Sequence, residues 1–327
     1  MEYQKNERTL EIFFRLLKGE HISVKKLAAE YQVATKSISR NISEIQAFLT
    51  EHRDLLQNAE LNYSHKERAY ILTSDEFLKN KELFAVMKVL LGSRCFSKEE
   101  LLTLISKLKK CTTVEDREHF ENLIRKEVYH YHEVRSDCRS VTDNLWRIVE
   151  AIENRHMLTI TYIKMNRSEI KRKIKPAAIM FSEYYFYLIA YTADDDRMQP
   201  KYYRLDRITA ISESREHFAL DKAHDFDEGN LREKNQFMFP GEPMKVRFSF
   251  CGPSVRAVLD RLPTAKVIEK DGNSYILEAD VNNGRGLMMF LLSQGAWIKV
   301  LSPEQFAEEM RAEIQSMLEH YTSENNN

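Results

Sequence analysis

Glycine, proline and cysteine are all scarce in this chain, at nine, seven and four residues out of 327. Neither a GxGxxG nor a GxxxxGKS/T pattern occurs, which counts against a dinucleotide-binding or P-loop enzyme. The four cysteines, Cys95, Cys111, Cys138 and Cys251, stand singly, without the close pairs of a zinc site or a redox motif, and read as reduced thiols. His119, His130 and His132 come without carboxylate or cysteine ligands at matching spacing, so no metal or other cofactor is expected. Long hydrophobic runs are missing as well: no stretch approaches the ~20 apolar residues of a membrane helix. The opening MEYQKNERTL has no signal-peptide apolar segment, which points to a cytoplasmic protein with no membrane partner. Neither sign of charge is in excess, with 49 Lys and Arg against 50 Asp and Glu, so any nucleic-acid contact must come from a local patch. No GxSxG nucleophile motif is present, and the carboxylates from Asp194 to Asp196 sit in a polar loop, so an enzyme is not expected.

What is present is enough apolar sequence for two or three domains. Residues Glu7 to Lys18 carry Leu10, Phe13, Phe14 and Leu17 at helical spacing, with Gly19 as a stop. Ser23 is placed to cap a second helix that buries Leu27, Ala28 and Tyr31. A third helix carries Ile38, Ile42, Ile45 and Leu49 in one narrow sector, with Ala34 where a cap belongs and Thr35 as the substitute cap. Its other side presents Lys36, Ser37, Ser39, Arg40 and Ser43, with no acidic residue before Glu44. Such a face suits a helix lying in a DNA major groove, because carboxylates there would repel phosphates. Two strand-like runs follow, Ala59 to Tyr63 and Arg68 to Leu72, around a Ser64–Glu67 turn whose His65, Lys66 and Arg68 are available to phosphates, as are Lys25 and Lys26. The bland alternative is a three-helix packing module with a solvated polar face.

From Asp75 to about Tyr131 the pattern is helical, with capping boxes at Ser97/Glu100 and Thr113/Asp116. The stripe Leu83, Val86, Met87, Leu90 and Leu91 is either intramolecular core or a surface that meets a second subunit. A helix from Val141 to Arg155, with Leu145, Trp146, Val149 and Ile152, leads into strands running from Leu158 to about Ser214. Within them, YYFYLIAY alternates: Phe186, Leu188 and Ala190 share one face with Tyr184, while Tyr185, Tyr187, Ile189 and Tyr191 share the other. The second run of this hairpin brings Arg204, Asp206 and Arg207 near the phenolic face. A charged stretch from Arg215 to Lys234, with Phe218, Leu220 and Phe226, reads as a crossing linker. From Pro243 the order is βαββαβ, with Asp271-Gly272 as a hairpin signal, then a last helix with Ser302 as N-cap, Pro303 at N1 and Gln305 completing a capping box.

The pieces LTITYI (158–163), RKIKPAAI (172–179), Phe186-Tyr187-Leu188 and RLDRI (204–208) resemble the WYL domain, with Phe in place of the name-giving Trp. The N-terminal segment resembles the winged helix-turn-helix of DeoR-like regulators, and the C-terminal βαββαβ resembles the extension domain that follows WYL domains. The expected architecture is therefore α+β and multidomain: a winged helix-turn-helix over 1–73, a helical linker over 74–140 with dimerising potential, an Sm-like β-barrel over 141–215, a crossing linker over 216–242 and a ferredoxin-like domain over 243–322. The resemblance implies a bacterial transcriptional regulator: a homodimeric repressor on a double-stranded operator with an inverted repeat, modulated by a nucleotide or single-stranded nucleic acid at the WYL domain. The alternative is an adaptor that binds nucleic acid or a partner without an operator of its own. Tyr187, Arg204 and Arg207, with Arg172 and Tyr185, are the expected ligand residues, stacking a base and holding phosphate. The bland alternative is that most of these tyrosines only pack in the core and that Arg207 pairs with Asp206 or a neighbouring carboxylate.

Overall fold

The computed structural model describes residues 5–53, 59–73, 78–112, 114–194, 199–219 and 228–323. It divides into two compact units, Met1–Val134 and Arg135–Asn327. Among the described residues no helix is long and apolar enough to cross a membrane.

The first unit opens with α1 (Lys5–Leu17), α2 (Val24–Glu30) and α3 (Thr35–Glu51), followed by the antiparallel pair β1 (Glu60–Ser64) and β2 (Ala69–Thr73). A single bridge between Ile22 and Tyr70 ties the α1–α2 connection to β2. Ile38, Ile42, Ile45 and Leu49 of α3 are all buried, as their spacing predicts, and pack with Leu27, Ala28 and Leu61. α1 departs from expectation. Its inward residues are Ile12 and Leu16 together with Arg8, while Leu10 and Phe14 are each 59% exposed. Two apolar stripes on this helix satisfy the same period, and a polar contact selects between them. Arg8 Nε donates to Asn41 Oδ1 at 2.8 Å and Asn41 Nδ2 to Thr9 Oγ1 at 2.6 Å, which turns the Arg8 side of α1 toward α3. Caps also differ: Ser23 stands at the N-cap of α2 without a side-chain bond, and Thr35 is the first residue of α3 rather than its cap. The Ser37 amide is satisfied by the Ala34 carbonyl at 2.9 Å instead.

Next come α4 (Asn80–Ser93), α5 (Lys98–Lys109) and α6 (Val114–Tyr129). Leu83, Met87 and Leu91 of α4 are buried, in contact with α5 and α6, so the chain itself covers this stripe; Val86 is left exposed. Ser97 and Glu100 form the predicted reciprocal cap of α5. Thr113 and Asp75 lie outside the described residues.

The second unit begins with α7 (Val141–Glu153), capped by the Ser140 hydroxyl, which accepts from the Asp143 amide at 3.0 Å. Its buried face is Val141, Ile148 and Ala151; Trp146 is 63% exposed, its Nε1 donating to Glu150 on the outer side. The strands β3 (His156–Ile163), β4 (Glu169–Ser182), β5 (Tyr185–Thr192), β6 (Lys201–Arg204) and β7 (Ile208–His217) pair in the order β6-β5-β4-β3-β7, every pair antiparallel. Among the described residues no closed barrel is formed, contrary to expectation. β6 and β7 are opposite edges of the sheet, yet they are joined by only a 3-10 turn, Leu205–Arg207, which can span no more than ~14 Å. The sheet therefore curls until its edges approach, helped by a bulge at Pro176–Ala178 in β4. Leu205, in the turn that joins these two edges, is fully buried and packs in the core with Ile160, Ile174 and Leu188.

The stretch expected to be a crossing linker holds more structure than its composition indicates: Phe218 is buried beyond the end of β7, and α8 (Glu228–Lys234) packs against β4. Leu220 and Phe226 lie outside the described residues. The remaining elements are β8 (Glu242–Phe250), α9 (Val255–Arg261), β9 (Lys266–Asp271), β10 (Ser274–Asn283), α10 (Arg285–Ser293), β11 (Ile298–Ser302) and α11 (Glu304–Ser323). Their antiparallel sheet has the order β11-β8-β10-β9, so each of α9 and α10 joins two strands that flank a third. Gly272 turns the β9–β10 hairpin at a φ of +54°. Gly286 lets α10 approach the segment between α8 and β8, where a Cβ would sit 1.8 Å from the Gln236 carbonyl oxygen. Ser302 does not cap α11: it ends β11 opposite Arg247, and Gln305 bonds forward to Glu309. The residue that starts the helix is Pro303, whose carbonyl accepts from the Ala307 amide at 3.1 Å.

Candidate functional site

Two groups of residues carry chemistry, one in each unit. In the first unit α3 turns its isoleucines inward, and this leaves Lys36, Ser39, Arg40 and Ser43 exposed on one face, with Ser37 half-buried at its margin. The Ser43 hydroxyl donates back to the Ser39 carbonyl at 3.1 Å, leaving its oxygen as an acceptor. Arg40 is 74% exposed, with Nε 3.5 Å from Glu44. That carboxylate is held primarily by Lys5, 2.6 Å away, whose hydrogen bond keeps the Glu44 carboxyl below its usual range. The one acidic residue beside the face is thus drawn toward α1. Lys25 and Lys26 are exposed on the first turn of α2. At the β1–β2 tip His65, Lys66 and Arg68 are exposed as well; His65 lies edge-on to Tyr63 at 5.2 Å. A tight tip without glycine is possible because Arg68 itself takes a φ of +54° and the Glu67 amide donates to Ser64 Oγ. His21 is paired with Glu67 behind the tip. Sequence reading missed the Arg8–Thr9–Asn41 cluster that sets α1 on α3. Its sequence signal is a polar residue, Asn41, three positions past Ile38 on the apolar side of the helix; the structure buries it wholly.

In the second unit, alternation along β5 puts Tyr185 and Tyr187 on one face, and the β5–β6 register sets Tyr187 opposite Arg204. The Arg204 guanidinium lies 3.3 Å from the centre of the Tyr185 ring. It also donates from Nε and Nη2 to the two oxygens of Asp206, at 3.1 and 2.7 Å. This pair is nearly dry, with side-chain exposures of 18% and 8%. Burial works against the Arg204 charge, but the hydrogen bonds and charge of Asp206 outweigh it and raise the pKa further. Burial pushes the Tyr187 phenol up to about 12, against the opposing pull of Arg204.

Of the five expected ligand residues, the structure thus brings three together, Tyr185, Tyr187 and Arg204. Arg172 is exposed on β4, and its charge acts on Tyr203, which points to the other side of β6 from Arg204. Arg207 is half-buried in the 3-10 turn, and the Asp206 carboxylate it was expected to share is taken by Arg204. The phenolic face is only partly open. Ile189 packs with Ala178, Met180 and Met238, while Tyr187, Tyr202 and Leu231 of α8 close around them. Asn235 donates to the Tyr202 hydroxyl at 3.1 Å and so fixes the linker on this face.

The backbone of Asp206 is engaged too, which sequence reading did not foresee. Its carbonyl accepts from the amides of Asp137 and Cys138, at 2.8 and 3.1 Å, and from Ser136 Oγ at 3.2 Å. The Asp137 carboxylate in turn holds Arg167 through two bonds, at 2.9 and 3.0 Å. Asn144 of α7 donates to the Ile208 carbonyl at 2.8 Å. One short turn therefore carries an ion pair on its side chain and fastens residues 136–138 through its backbone. Among the described residues no group of three or more His, Cys, Asp and Glu is placed to hold a metal ion.

Tyr31, Tyr131 and Tyr187 all have phenols pushed up to about 12, burial being the main cause in each. A folded-state value above the ordinary ~10 means the neutral phenol contributes stability that is intact below pH ~10 and lost as pH rises through about 12. The denaturation midpoint is expected to fall steeply across that window as phenolate absorbance grows. A midpoint that stays level through the window would contradict the burial of these groups.

Compared with known proteins, residues 143–213 match the WYL domain and residues 242–318 match the WCX domain, so the chain carries both. No curated protein matches it. Among solved structures it is similar to proteasome accessory factor B/C (PafBC) of Arthrobacter aurescens, at 14% identity and a TM-score of 0.29, covering 97% of this chain and 48% of that one. The chain thus spans about half the length of that protein. It is also similar to a CRISPR Cas-related protein, at 17% identity and a TM-score of 0.39, covering 77% of this chain and 76% of that one.

Proposed function

We propose that this chain is a cytoplasmic, non-catalytic transcriptional regulator. In this reading residues 1–73 are a winged helix-turn-helix that binds an operator as a homodimer and represses, the C-terminal βαββαβ unit is ferredoxin-like, and a ligand at the WYL domain modulates DNA binding. The observation that carries the reading is the α3 face: Lys36, Ser39, Arg40 and Ser43 stand exposed together while the nearest carboxylate is drawn off by Lys5. α3 enters the major groove with that face, Ser37 at its edge. Lys25, Lys26 and the tip residues His65, Lys66 and Arg68 take backbone phosphates.

The ligand half of the reading rests on Arg204. A guanidinium stacked on a phenol and bonded to a carboxylate is the environment that a phosphate beside a base reproduces, with phosphate in place of Asp206 and the base on Tyr185. An anionic ligand therefore competes with an internal carboxylate. Because the Asp206 carbonyl holds residues 136–138, at the start of the second unit, displacement of Asp206 loosens the segment through which the chain passes from one unit to the next.

The test is a footprint on the DNA upstream of the protein's own gene across a salt series, repeated with short single-stranded DNA, RNA and cyclic dinucleotides. Protection of an inverted repeat that one of these ligands shifts, and that the Arg204→Ala protein binds without responding, is the expected result. Weak, salt-sensitive and sequence-indifferent binding would overturn the operator reading and favour an adaptor.

A further inference from the structure

We infer that residues 235–238 are a strap through which the WCX domain holds the two strands of the Arg204 site at a fixed spacing, so that occupation of the site and engagement of the strap favour one another. This rests on the ligand reading of the proposed function and adds its regulation. Each strand is gripped two residues from a proposed ligand residue. On β6, Tyr202 precedes Arg204 by two positions and shares its face. The Tyr202 hydroxyl accepts from Asn235 Nδ2 at 3.1 Å, and Asn235 Oδ1 accepts from Asn282 Nδ2 of β10 at 2.5 Å. The buried Asn235 amide is thus used at both ends, once toward each sheet. Ahead of β5, Glu183 precedes Tyr185 by two positions and binds Nη2 of Arg261, in α9, at 2.6 Å. The Arg261 guanidinium lies 4.6 Å from the centre of the Phe237 ring. The Arg261 and Glu183 side chains are 35% and 33% exposed, which makes this the weaker grip.

Between the grips the backbone is strained. Phe237 and Met238 take φ values of +52° and +55°, and two successive non-glycine residues in the left-handed region persist only where their surroundings hold both. Anchors on opposite sides do so here. Phe237 packs on the WCX core, while Met238 is buried against Ala178, Met180 and Ile189 of the WYL sheet. Such a segment has two discrete arrangements: engaged, with both side chains seated, and released, with φ relaxed and Met238 withdrawn from the sheet. A phosphate on Arg204 with its base on Tyr185 braces β5 against β6, and that is the spacing the engaged strap requires. By linkage, the strap raises affinity for the ligand by the same factor by which the ligand favours the engaged strap.

Hydrogen–deuterium exchange of the full chain, first without ligand, tests the strap, with the amides around Phe248 in β8 as internal reference. Asn235→Ala is expected to speed exchange along 185–189 and 202–206 about tenfold, and Arg204→Ala or Tyr185→Leu to speed it along 235–239 to a similar extent, the reference staying level. Adding a short oligothymidylate should then slow exchange at 235–239 in wild type, and Asn235→Ala and Asn282→Ala should bind it several-fold more weakly. If Arg204→Ala and Tyr185→Leu leave 235–239 unchanged, the segment is packing alone and the strap is overturned, whatever binds at Arg204. Exchange that responds in both directions without ligand, in a protein that oligothymidylate does not bind, would keep the link between site and strap and overturn the ligand reading instead.

Discussion

Replacing Asp206 by Ala is expected to lower the stability of the second unit by roughly 3–5 kcal/mol, as removing one partner of a buried ion pair does. The Arg204 side chain is only 18% exposed, enclosed by the Tyr185 ring, the Tyr187 pairing and the Asp206 carboxylate. Without the carboxylate the guanidinium stays in place uncompensated or must swing into solvent and abandon the stack. Asp206→Asn keeps the shape and one acceptor and should cost less. The double variant Arg204→Ala/Asp206→Ala should be more stable than Asp206→Ala alone, because the stranded charge is gone; denaturant titrations of wild type, Arg204→Ala, Asp206→Ala and the double variant give the coupling. The same substitution should act in the opposite direction on binding. With its internal competitor removed, Arg204 is open to phosphate, and affinity for a short single-stranded oligonucleotide should rise although the protein is weaker. Loss of both stability and binding would show that Asp206 positions Arg204 for the ligand instead of competing with it.

That the ion pair belongs to Arg204 rather than Arg207 illustrates what sequence could and could not show. The local features were legible because they depend on neighbours in the chain: the buried isoleucines of α3, the Ser97–Glu100 cap, the Gly272 turn and the alternation of β5. The polar face of α3 followed directly, since burying one side of a helix exposes the other. Features that failed depend on contacts between distant segments. Leu10 and Phe14 have the spacing of a core stripe, yet the Arg8–Asn41 bond, across 33 positions, turns the other stripe inward. Whether a five-stranded sheet closes depends on curvature gathered over every strand, and no single residue type marks the outcome. Tyr187 and Tyr191 alternate as an open phenolic face should, but Met238 and Leu231 arrive from a stretch whose charge reads as linker. The Asp206 carbonyl is a backbone group, and nothing in residue type marks it as the anchor of residues 136–138.

The proposed operator contact gives the other large effect. Arg40→Ala should weaken binding to the inverted repeat by about five- to more than a hundredfold, corresponding to roughly 1–3 kcal/mol for a guanidinium that reads a guanine. Little is lost in the free protein, because Arg40 is 74% exposed and the carboxylate beside it, Glu44 at 3.5 Å, already has a nearer partner in Lys5. The defect should therefore appear in binding and leave the unfolding curve unchanged. Comparison on operator and scrambled DNA separates the two roles the residue can take. A base-reading Arg40 loses affinity on the operator alone, whereas a phosphate contact weakens both DNAs alike and lowers the slope of log affinity against log salt by about one. Lys36→Ala serves as the internal reference, since a lysine on the same face carries charge without the planar fork that reads guanine through two parallel bonds. If both substitutions behave alike, the α3 face binds DNA through charge alone, and sequence recognition has to come from Ser39, Ser43 or the β1–β2 tip.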